Sequence, residues 1–150
     1  MKNWMSSDEI LDFAIGEEEA AMKFYTELAE KVVHSSMKRD FLLFANEEKG
    51  HKAKLIAVQE GKTFLPDNEK ILDLKMSDYI IDVDPDKVES YEDALVVAMK
   101  KEKAAYKLYT KLSEMVDTDD AKNLFKSLAQ EEAKHKLRFE IAFDEMIKEN

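Results

Sequence analysis

The sequence predicts an all-α protein, a four-helix bundle in which two helical hairpins are joined by a long crossover. The 150 residues contain only three glycines and two prolines and are rich in alanine, leucine, glutamate and lysine, which favours helices. Apolar residues recur at alternating steps of three and four along four segments, as one face of a helix requires. Residues 11–52 also align without gaps with residues 95–136, with 18 identities in 42 pairs at a constant offset of 84. This internal repeat predicts two similar halves.

The first hairpin is predicted from two apolar runs separated by a short polar break. The segment Ser6-Ser7-Asp8-Glu9 is typical of a capping box and predicts a first helix over about residues 7–33. The second run predicts a helix over about 37–60, which Gly61 ends because glycine readily adopts the left-handed cap conformation. Gly50 lies inside this helix, where glycine costs about 1 kcal/mol relative to alanine. Close backbone packing beside a functional site would explain its presence.

The second hairpin follows the same pattern. Residues 90–93, Ser-Tyr-Glu-Asp, open a third helix predicted over 91–116, and a short polar turn leads into a fourth over 119–148. Residues 62–90, which carry both prolines, are predicted to form the crossover with at most one short helix. A connection of this length is expected if it runs along the bundle, since a helix of roughly 25 residues is about 37 Å long. The chain 1–150 is predicted to form a single domain.

Composition excludes several classes of function. The formal net charge of −10 disfavours nucleic acid and anionic membranes as main partners. The sequence has no cysteine, which excludes disulfides, thiolate zinc sites, iron–sulfur clusters and cysteine nucleophiles. The N-terminal residues do not resemble a signal peptide, and no apolar stretch is long enough for a membrane span. We therefore expect a cytoplasmic protein.

Polar side chains interrupt the apolar stripe of every predicted helix, at positions where the neighbouring residues should pack inward. An unpaired buried carboxylate costs on the order of several kcal/mol, so packing alone does not explain four of them at one level. The interrupting residues of the first half recur 84 positions later in the second half. We predict that all six are metal ligands: Glu18, Glu48, His51, Glu102, Glu132 and His135.

The charges and spacing of these residues fit a pair of divalent ions. Four carboxylates carry a charge of −4 and two neutral imidazoles carry none, so two divalent ions make the cluster neutral. In each Glu-x-x-His the i, i+3 spacing places both side chains on one face, about 4.5 Å apart along the helix axis. Mixed carboxylate and imidazole ligands suit iron, manganese or zinc better than copper(I). The pattern therefore predicts a two-metal site without fixing the metal.

Residues next to the predicted ligands are expected in two environments. Tyr25 and Tyr109 lie two turns from Glu18 and Glu102 on the same helix faces, so we predict that they donate hydrogen bonds to ligating carboxylates. Ordinary core packing with a satisfied hydroxyl explains the two tyrosines equally well. Four further acids flank the stripes and are expected on solvated faces: Glu17, Glu19, Glu47 and Glu131.

The chain resembles the rubrerythrin branch of the ferritin-like superfamily. This resemblance implies a ferritin-like bundle with two iron ions held by the six predicted ligands, Glu48 and Glu132 being able to bridge them. It also implies redox chemistry with hydrogen peroxide or dioxygen, and a homodimer. The segments that carry the resemblance lie in all four predicted helices: Gly16 to Ala21 through Tyr25, Glu47 to His51, Lys101 to Ala105 through Tyr109, and Glu131 to His135.

Two departures from the rubrerythrin pattern bear on function. Full-length rubrerythrins carry a cysteine-ligated rubredoxin module, whereas this chain has no cysteine, so we expect an external electron-donor protein. Ala105 stands where rubrerythrins have an additional carboxylate, and the remaining six-ligand set is more similar to bacterioferritin-type centres that oxidise Fe(II). The resemblance implies a di-iron peroxidase or ferroxidase acting in oxidative stress. Iron storage and a non-catalytic iron or redox sensor stay open as alternatives.

Overall fold

The structure, a computed structural model, describes residues 4–33, 35–61, 72–73, 79, 81 and 87–149. The predicted all-α class is confirmed. Each helix begins and ends within two residues of its predicted bounds. The helices are α1 (Ser7–Lys31), α2 (Ser35–Gly61), α3 (Tyr91–Met115) and α4 (Asp119–Glu149).

The starts of α1 and α3 follow from their capping residues. The Ser6 side chain accepts a hydrogen bond from the backbone N–H of Glu9 at 3.2 Å, and the Glu9 carboxylate accepts one from the Ser6 N–H at 3.4 Å. This reciprocal pair is the predicted capping box. Ser90 caps α3 in the same way by accepting from the N–H of Asp93 at 3.1 Å. The predicted cap at Gly61 involves residues beyond α2 that lie outside the described part of the chain.

The helices pack as two hairpins, α1 against α2 and α3 against α4. Most of the crossover, predicted over residues 62–90, lies outside the described residues. The expectation that it contains at most one short helix therefore stays a prediction. An antiparallel ladder was not predicted: β1 (Trp4–Met5) pairs with β2 (Leu72–Asp73). Two residues are too few to show the alternation by which strands are recognised in a sequence. The ladder connects the segment before α1 to the crossover.

A polar layer divides the hydrophobic core into two clusters. Each cluster contains residues from all four helices, and along every helix the predicted ligands lie between its contributions to the two clusters. The layer is therefore at the same level in all four helices. One cluster includes Ile10, Leu55, Leu112 and Phe125, and the other includes Leu28, Phe41, Leu95 and Phe139.

Charged side chains are distributed along the outer faces of the bundle. Within the described ranges, none of the helices combines the length and the apolar character needed to cross a lipid bilayer. This agrees with the sequence, which has no long apolar stretch.

The structure overturns the packing explanation for Gly50, because a Cβ at this position would meet no atom within 4 Å.

We predict that Gly50→Ala raises the free energy of unfolding by about 1 kcal/mol, since alanine loses less backbone entropy in a helix. Urea unfolding followed by circular dichroism measures the change. Gly16→Ala in α1 is the matched control, because its Cβ would also meet nothing within 4 Å. A stabilised Gly16→Ala with a destabilised Gly50→Ala would contradict the prediction.

Candidate metal centre

The fold brings all six predicted ligands together in the polar layer, and each is at most 3% exposed. Their ligand atoms form two groups of four, and within each group all of these atoms lie within 4.8 Å of one another. Glu48 and Glu132 belong to both groups, so they lie between two potential ion positions. The first group is completed by Glu18 and His51, and the second by Glu102 and His135.

Each of the six residues keeps one buried polar atom without a hydrogen-bond partner. A buried donor or acceptor left unpaired costs about 1–3 kcal/mol, and more when it is charged. Within the described part of the chain, these six are the only buried side-chain nitrogen or oxygen atoms in this condition. Their number, their chemistry and their division into two groups fit two divalent cations. The atoms are Oε2 of Glu18, Oε1 of Glu48, Nδ1 of His51, Oε2 of Glu102, Oε1 of Glu132 and Nδ1 of His135.

The imidazoles are oriented by carboxylates from the opposite half of the chain. Nε2 of His51 contacts a carboxylate oxygen of Glu131, and Nε2 of His135 contacts one of Glu47. A neutral histidine that donates through Nε2 has its lone pair on Nδ1. Nδ1 of His51 faces the cluster; it lies 2.8 Å from Oε1 of Glu132 but is not aligned with it as in a hydrogen bond. Both rings are therefore arranged to ligate an ion through Nδ1.

These contacts correct the expectation that Glu47 and Glu131 are merely solvated. Their side chains are 44% and 39% exposed, but each reaches inward to a buried histidine. The repeat contained the signal for this role, because these two acids occupy equivalent positions at the offset of 84. At the other two flanking positions, the repeat instead pairs a glutamate with a lysine: Glu17 with Lys101 and Glu19 with Lys103.

The two tyrosine hydroxyls also contact carboxylates from the opposite half of the repeat. Tyr25 donates a hydrogen bond to Glu102, and Tyr109 donates one to Glu18. Burial raises the pKa of both tyrosines well above the usual value, and the neighbouring carboxylates add to the shift. The hydroxyls therefore stay protonated and act as donors. That the accepting carboxylates ligate metal stays a prediction.

Two of the clustered carboxyl groups, those of Glu48 and Glu132, favour their protonated forms when no cation is present. Burial raises the pKa of Glu48 to about 8, and the charges of Glu102 and Glu18 act in the same direction. Burial also raises the pKa of Glu132 well above its usual value, with further contributions from Glu102 and Glu48. A cation that binds here must displace protons, so its affinity increases with pH.

The same carboxylates also raise the pKa of the imidazoles, although burial acts on these rings in the opposite direction. Burial alone would lower the pKa of His51, but Glu18 and Glu48 outweigh it and raise the pKa to about 9. For His135, burial is likewise outweighed by Glu102 and Glu48, and the pKa rises to about 11. Without a cation, each ring therefore holds a second proton among the carboxylates, and this proton must leave before Nδ1 can bind an ion.

The two faces of the centre differ in shape. Between α2 and α4, an open groove of about 650 Å³ ends at the imidazole rings and at Glu47 and Glu131. Between α1 and α3, a small cavity of about 30 Å³ reaches the four buried carboxylates directly. Of these two spaces, the α1/α3 cavity is the one that borders the four carboxylates.

Comparison with known proteins gives a consistent assignment. A family model described as Rubrerythrin matches residues 9–143. Among solved structures, a hypothetical protein from Pyrococcus furiosus is 28% identical, with 94% of this chain and 90% of that chain covered and a TM-score of 0.74. A protein from Thermotoga maritima described as ferritin-like and diiron-carboxylate is 22% identical, with coverage of 97% and 99% and a TM-score of 0.85. These likenesses confirm the ferritin-like fold. No curated protein matches the sequence.

The raised pKa values predict how pH affects the metal-free protein. Groups whose pKa is higher in the folded state stabilise the fold at low pH and lose that contribution as pH rises through the folded value. The free energy of unfolding should therefore fall as pH rises from about 5 to about 9, through the pKa values of Glu48 and His51, about 8 and about 9. Urea unfolding of chelator-treated protein across this range measures the trend. Glu48→Gln should make it shallower, and a stability that increases with pH would contradict the assignment.

The Glu131 contact predicts a role in holding His51, one of the predicted metal ligands. We expect Glu131→Ala to weaken metal binding by about 10- to 100-fold, because the imidazole loses the partner that fixes its orientation. Anaerobic Fe(II) titration against a chromophoric chelator gives the affinity. Glu60→Ala, an exposed acid on α2, is the matched control and should bind metal as the unchanged protein does. Equal affinities in the two variants would show that the contact has no such role.

Proposed function

The chain belongs to the rubrerythrin family, and from this we propose that it is a non-haem di-iron redox protein that reacts with hydrogen peroxide or dioxygen. The proposed activity is that of an oxidoreductase of the peroxidase or ferroxidase type. The observation that carries the proposal is the set of six buried, unpaired ligand atoms. Their two groups share Glu48 and Glu132, which suits two ions close together. Iron is the proposed metal, although manganese and zinc accept the same ligands.

The protein groups have separate tasks in this proposal. The six ligands hold two iron ions, which when bound supply the two electrons that, with two protons, convert hydrogen peroxide to two water molecules. Tyr25 and Tyr109 orient the carboxylates of Glu102 and Glu18 through their hydroxyl protons. Glu47 and Glu131 hold the outer nitrogens of the imidazoles, so that Nδ1 of each ring faces inward.

The electrons for a new cycle would come from another protein. The sequence has no cysteine and so cannot build a cysteine-ligated iron site of its own. We propose an external electron-donor protein as the partner, and a homodimer as the oligomeric state. A dimer would have about twice the chain mass of 17.4 kDa.

Two alternative functions use the same centre. In iron storage or sequestration, the site would feed a mineral inside a cage of many subunits. In a non-catalytic iron or redox sensor, metal would bind without turnover when reductant is supplied. Native mass separates a cage from a dimer, and steady-state turnover with a reductant separates an enzyme from a sensor.

Anaerobic reconstitution with Fe(II) tests the proposal directly. We expect about two iron ions per chain, because the ligand atoms form two groups. Titration with peroxide, and separately with oxygen, should then produce the near-ultraviolet absorption band of oxidised paired iron. Binding of clearly fewer than two ions, or no oxidation by either reagent, would contradict the proposed function.

Variants of the two shared ligands test the ligand assignment, with Glu60→Ala as the matched control. Glu48→Ala and Glu132→Ala should each lose at least one of the two ions and keep a helical circular dichroism spectrum, because each removes a carboxylate common to both groups. Glu60→Ala should keep both ions. If the two ligand variants also retained two ions per chain, the ligand assignment would be wrong.

A further inference from the structure

The outer face of α3 carries four lysines at steps of three, four and four residues, which places them on one side of the helix. All four are exposed, and within the described part of the chain none of them forms an ion pair. Between Asp93 and Glu114 the only acidic residue is Glu102, which is buried on the inner side of α3. The four residues, called the lysine stripe below, are Lys100, Lys103, Lys107 and Lys111.

The lysine stripe is absent from the other half of the internal repeat. The equivalent residues of α1, 84 positions earlier, are Gly16, Glu19, Lys23 and Glu27. The stripe therefore carries a charge of +4 on α3, whereas the same positions on α1 carry −1. On α1 the charges are also paired, because Glu19 contacts both Lys23 and Lys52. The two halves share the residues of the metal centre but differ in this outer charge, which indicates a task that only α3 performs.

The charge of the whole chain restricts what can bind to the stripe. The formal net charge is −10 and the stripe contributes +4, so the rest of the chain carries −14. An extended polyanion, such as nucleic acid or an anionic membrane, would be repelled by this remainder. The stripe is only about 16 Å long, since a helix rises 1.5 Å per residue. A small protein with one acidic patch can contact the stripe without facing the acidic surfaces around it.

An open groove of about 520 Å³ adjoins the stripe. Lys107 and Lys111 line it together with Tyr79 of the crossover and Tyr106, whose side chain is 41% exposed. Exposed aromatic residues are enriched in protein–protein interfaces, where they fill space at the centre of a contact. The groove and the stripe therefore form one surface with both an apolar and a positively charged part.

This surface lies close to the metal centre. Tyr79 lines the groove and also the small cavity that borders the four buried carboxylates. Glu102 lies on the inner side of the same helix whose outer side carries the stripe, and a helix with its side chains is about 10–12 Å across. Electron transfer between proteins slows steeply with distance, so a redox protein bound here would be well placed to reduce the centre.

We propose that the lysine stripe and the adjoining groove are the docking surface for the external electron donor, and that this donor is a small acidic protein with a one-electron redox group. The inference rests on the proposed function, because it gives the binding surface and the charge of the partner in that reaction. Each donor molecule loses one electron on docking. Two successive dockings therefore return the two irons from Fe(III) to Fe(II).

Stopped-flow reduction of the oxidised, iron-loaded protein tests the surface, with flavodoxin hydroquinone as an acidic one-electron donor. The stripe variant combines Lys103→Glu and Lys107→Glu. We expect it to be reduced at least about tenfold more slowly than the unchanged protein at low ionic strength, and the difference should shrink as salt is added. A neutral small-molecule reductant should reduce both proteins at the same rate. If the stripe variant does not fold, the milder pair Lys103→Gln and Lys107→Gln should show a smaller decrease.

The control variant combines Lys38→Glu and Lys126→Glu and changes the net charge by the same amount. Both lysines are exposed, on α2 and α4, and neither forms an ion pair within the described ranges. The control variant should retain most of the rate with flavodoxin, because its charges change away from α3. Equal slowing of the two variants would show that only the net charge matters and would overturn the proposal.

Nuclear magnetic resonance provides a readout that does not depend on turnover. Oxidised flavodoxin has no electron to donate, so its titration into the ¹⁵N-labelled, zinc-loaded protein reports binding alone. We expect amide shifts along residues 100–111, and the stripe variant should bind at least about tenfold more weakly than the control variant. Absence of binding by the unchanged protein at low ionic strength, or shifts confined to another face, would overturn the proposal.

The outcomes separate this inference from the proposed function. If the Fe(II)-loaded protein is oxidised by neither peroxide nor oxygen, the proposed function fails, and the titration with oxidised flavodoxin alone judges the docking surface. If it is oxidised but the stripe variant keeps its rate and affinity for flavodoxin, the docking surface is overturned and the function stands. A lower native mass of the stripe variant would identify the stripe as a contact between copies of this chain, and tighter binding to phosphatidylserine vesicles than to flavodoxin would identify it as a membrane contact. Either result would also overturn the proposal.

Discussion

Four carboxylates buried at one level of the bundle are the constraint on which the rest of the structure depends. Burial removes their hydration and raises the pKa of Glu48 and Glu132, and the charges of the neighbouring carboxylates raise it further. The surrounding groups stabilise these carboxylates in part. Two tyrosine hydroxyls donate hydrogen bonds to Glu102 and Glu18, and two imidazoles face Glu132 and Glu48. Six atoms still lack partners, which is the physical reason for assigning cations to the centre.

The spacing of residues along the sequence predicts which side chains share one face of a helix. It does not predict contacts that depend on how two helices lie beside each other. The steps of three and four, combined with the offset of 84, selected the six buried residues because each faces inward on its own helix. The contact of Glu131 with His51 depends on how α4 lies beside α2, which no spacing within one helix reveals. The same holds for the α1/α3 cavity and for the open space at Gly50. The two-residue ladder was too short to leave a pattern.

The contacts around the centre are reciprocal between the two halves of the repeat. The carboxylate that accepts from a tyrosine hydroxyl, or contacts Nε2 of an imidazole, belongs to the other half in all four contacts. Each half therefore helps to orient the ligands of the other, and both must be docked before either group of ligand atoms is complete. This accounts for the equivalence of Glu47 and Glu131, because each supports the histidine of the opposite copy. The contacts are Tyr25 with Glu102, Tyr109 with Glu18, His51 with Glu131, and His135 with Glu47.

The division of the core by the polar layer has a consequence for the cooperativity of folding. Each hydrophobic cluster draws on all four helices, so each end of the bundle has the contacts of a small folding unit of its own. Between the two units lies the polar layer, in which the metal-free protein holds additional protons on Glu48, Glu132 and both imidazoles. A cation that displaced these protons would be held by residues of all four helices and would join the two units across the layer. The occupancy of the centre would then bear on whether the two ends of the bundle unfold together or separately.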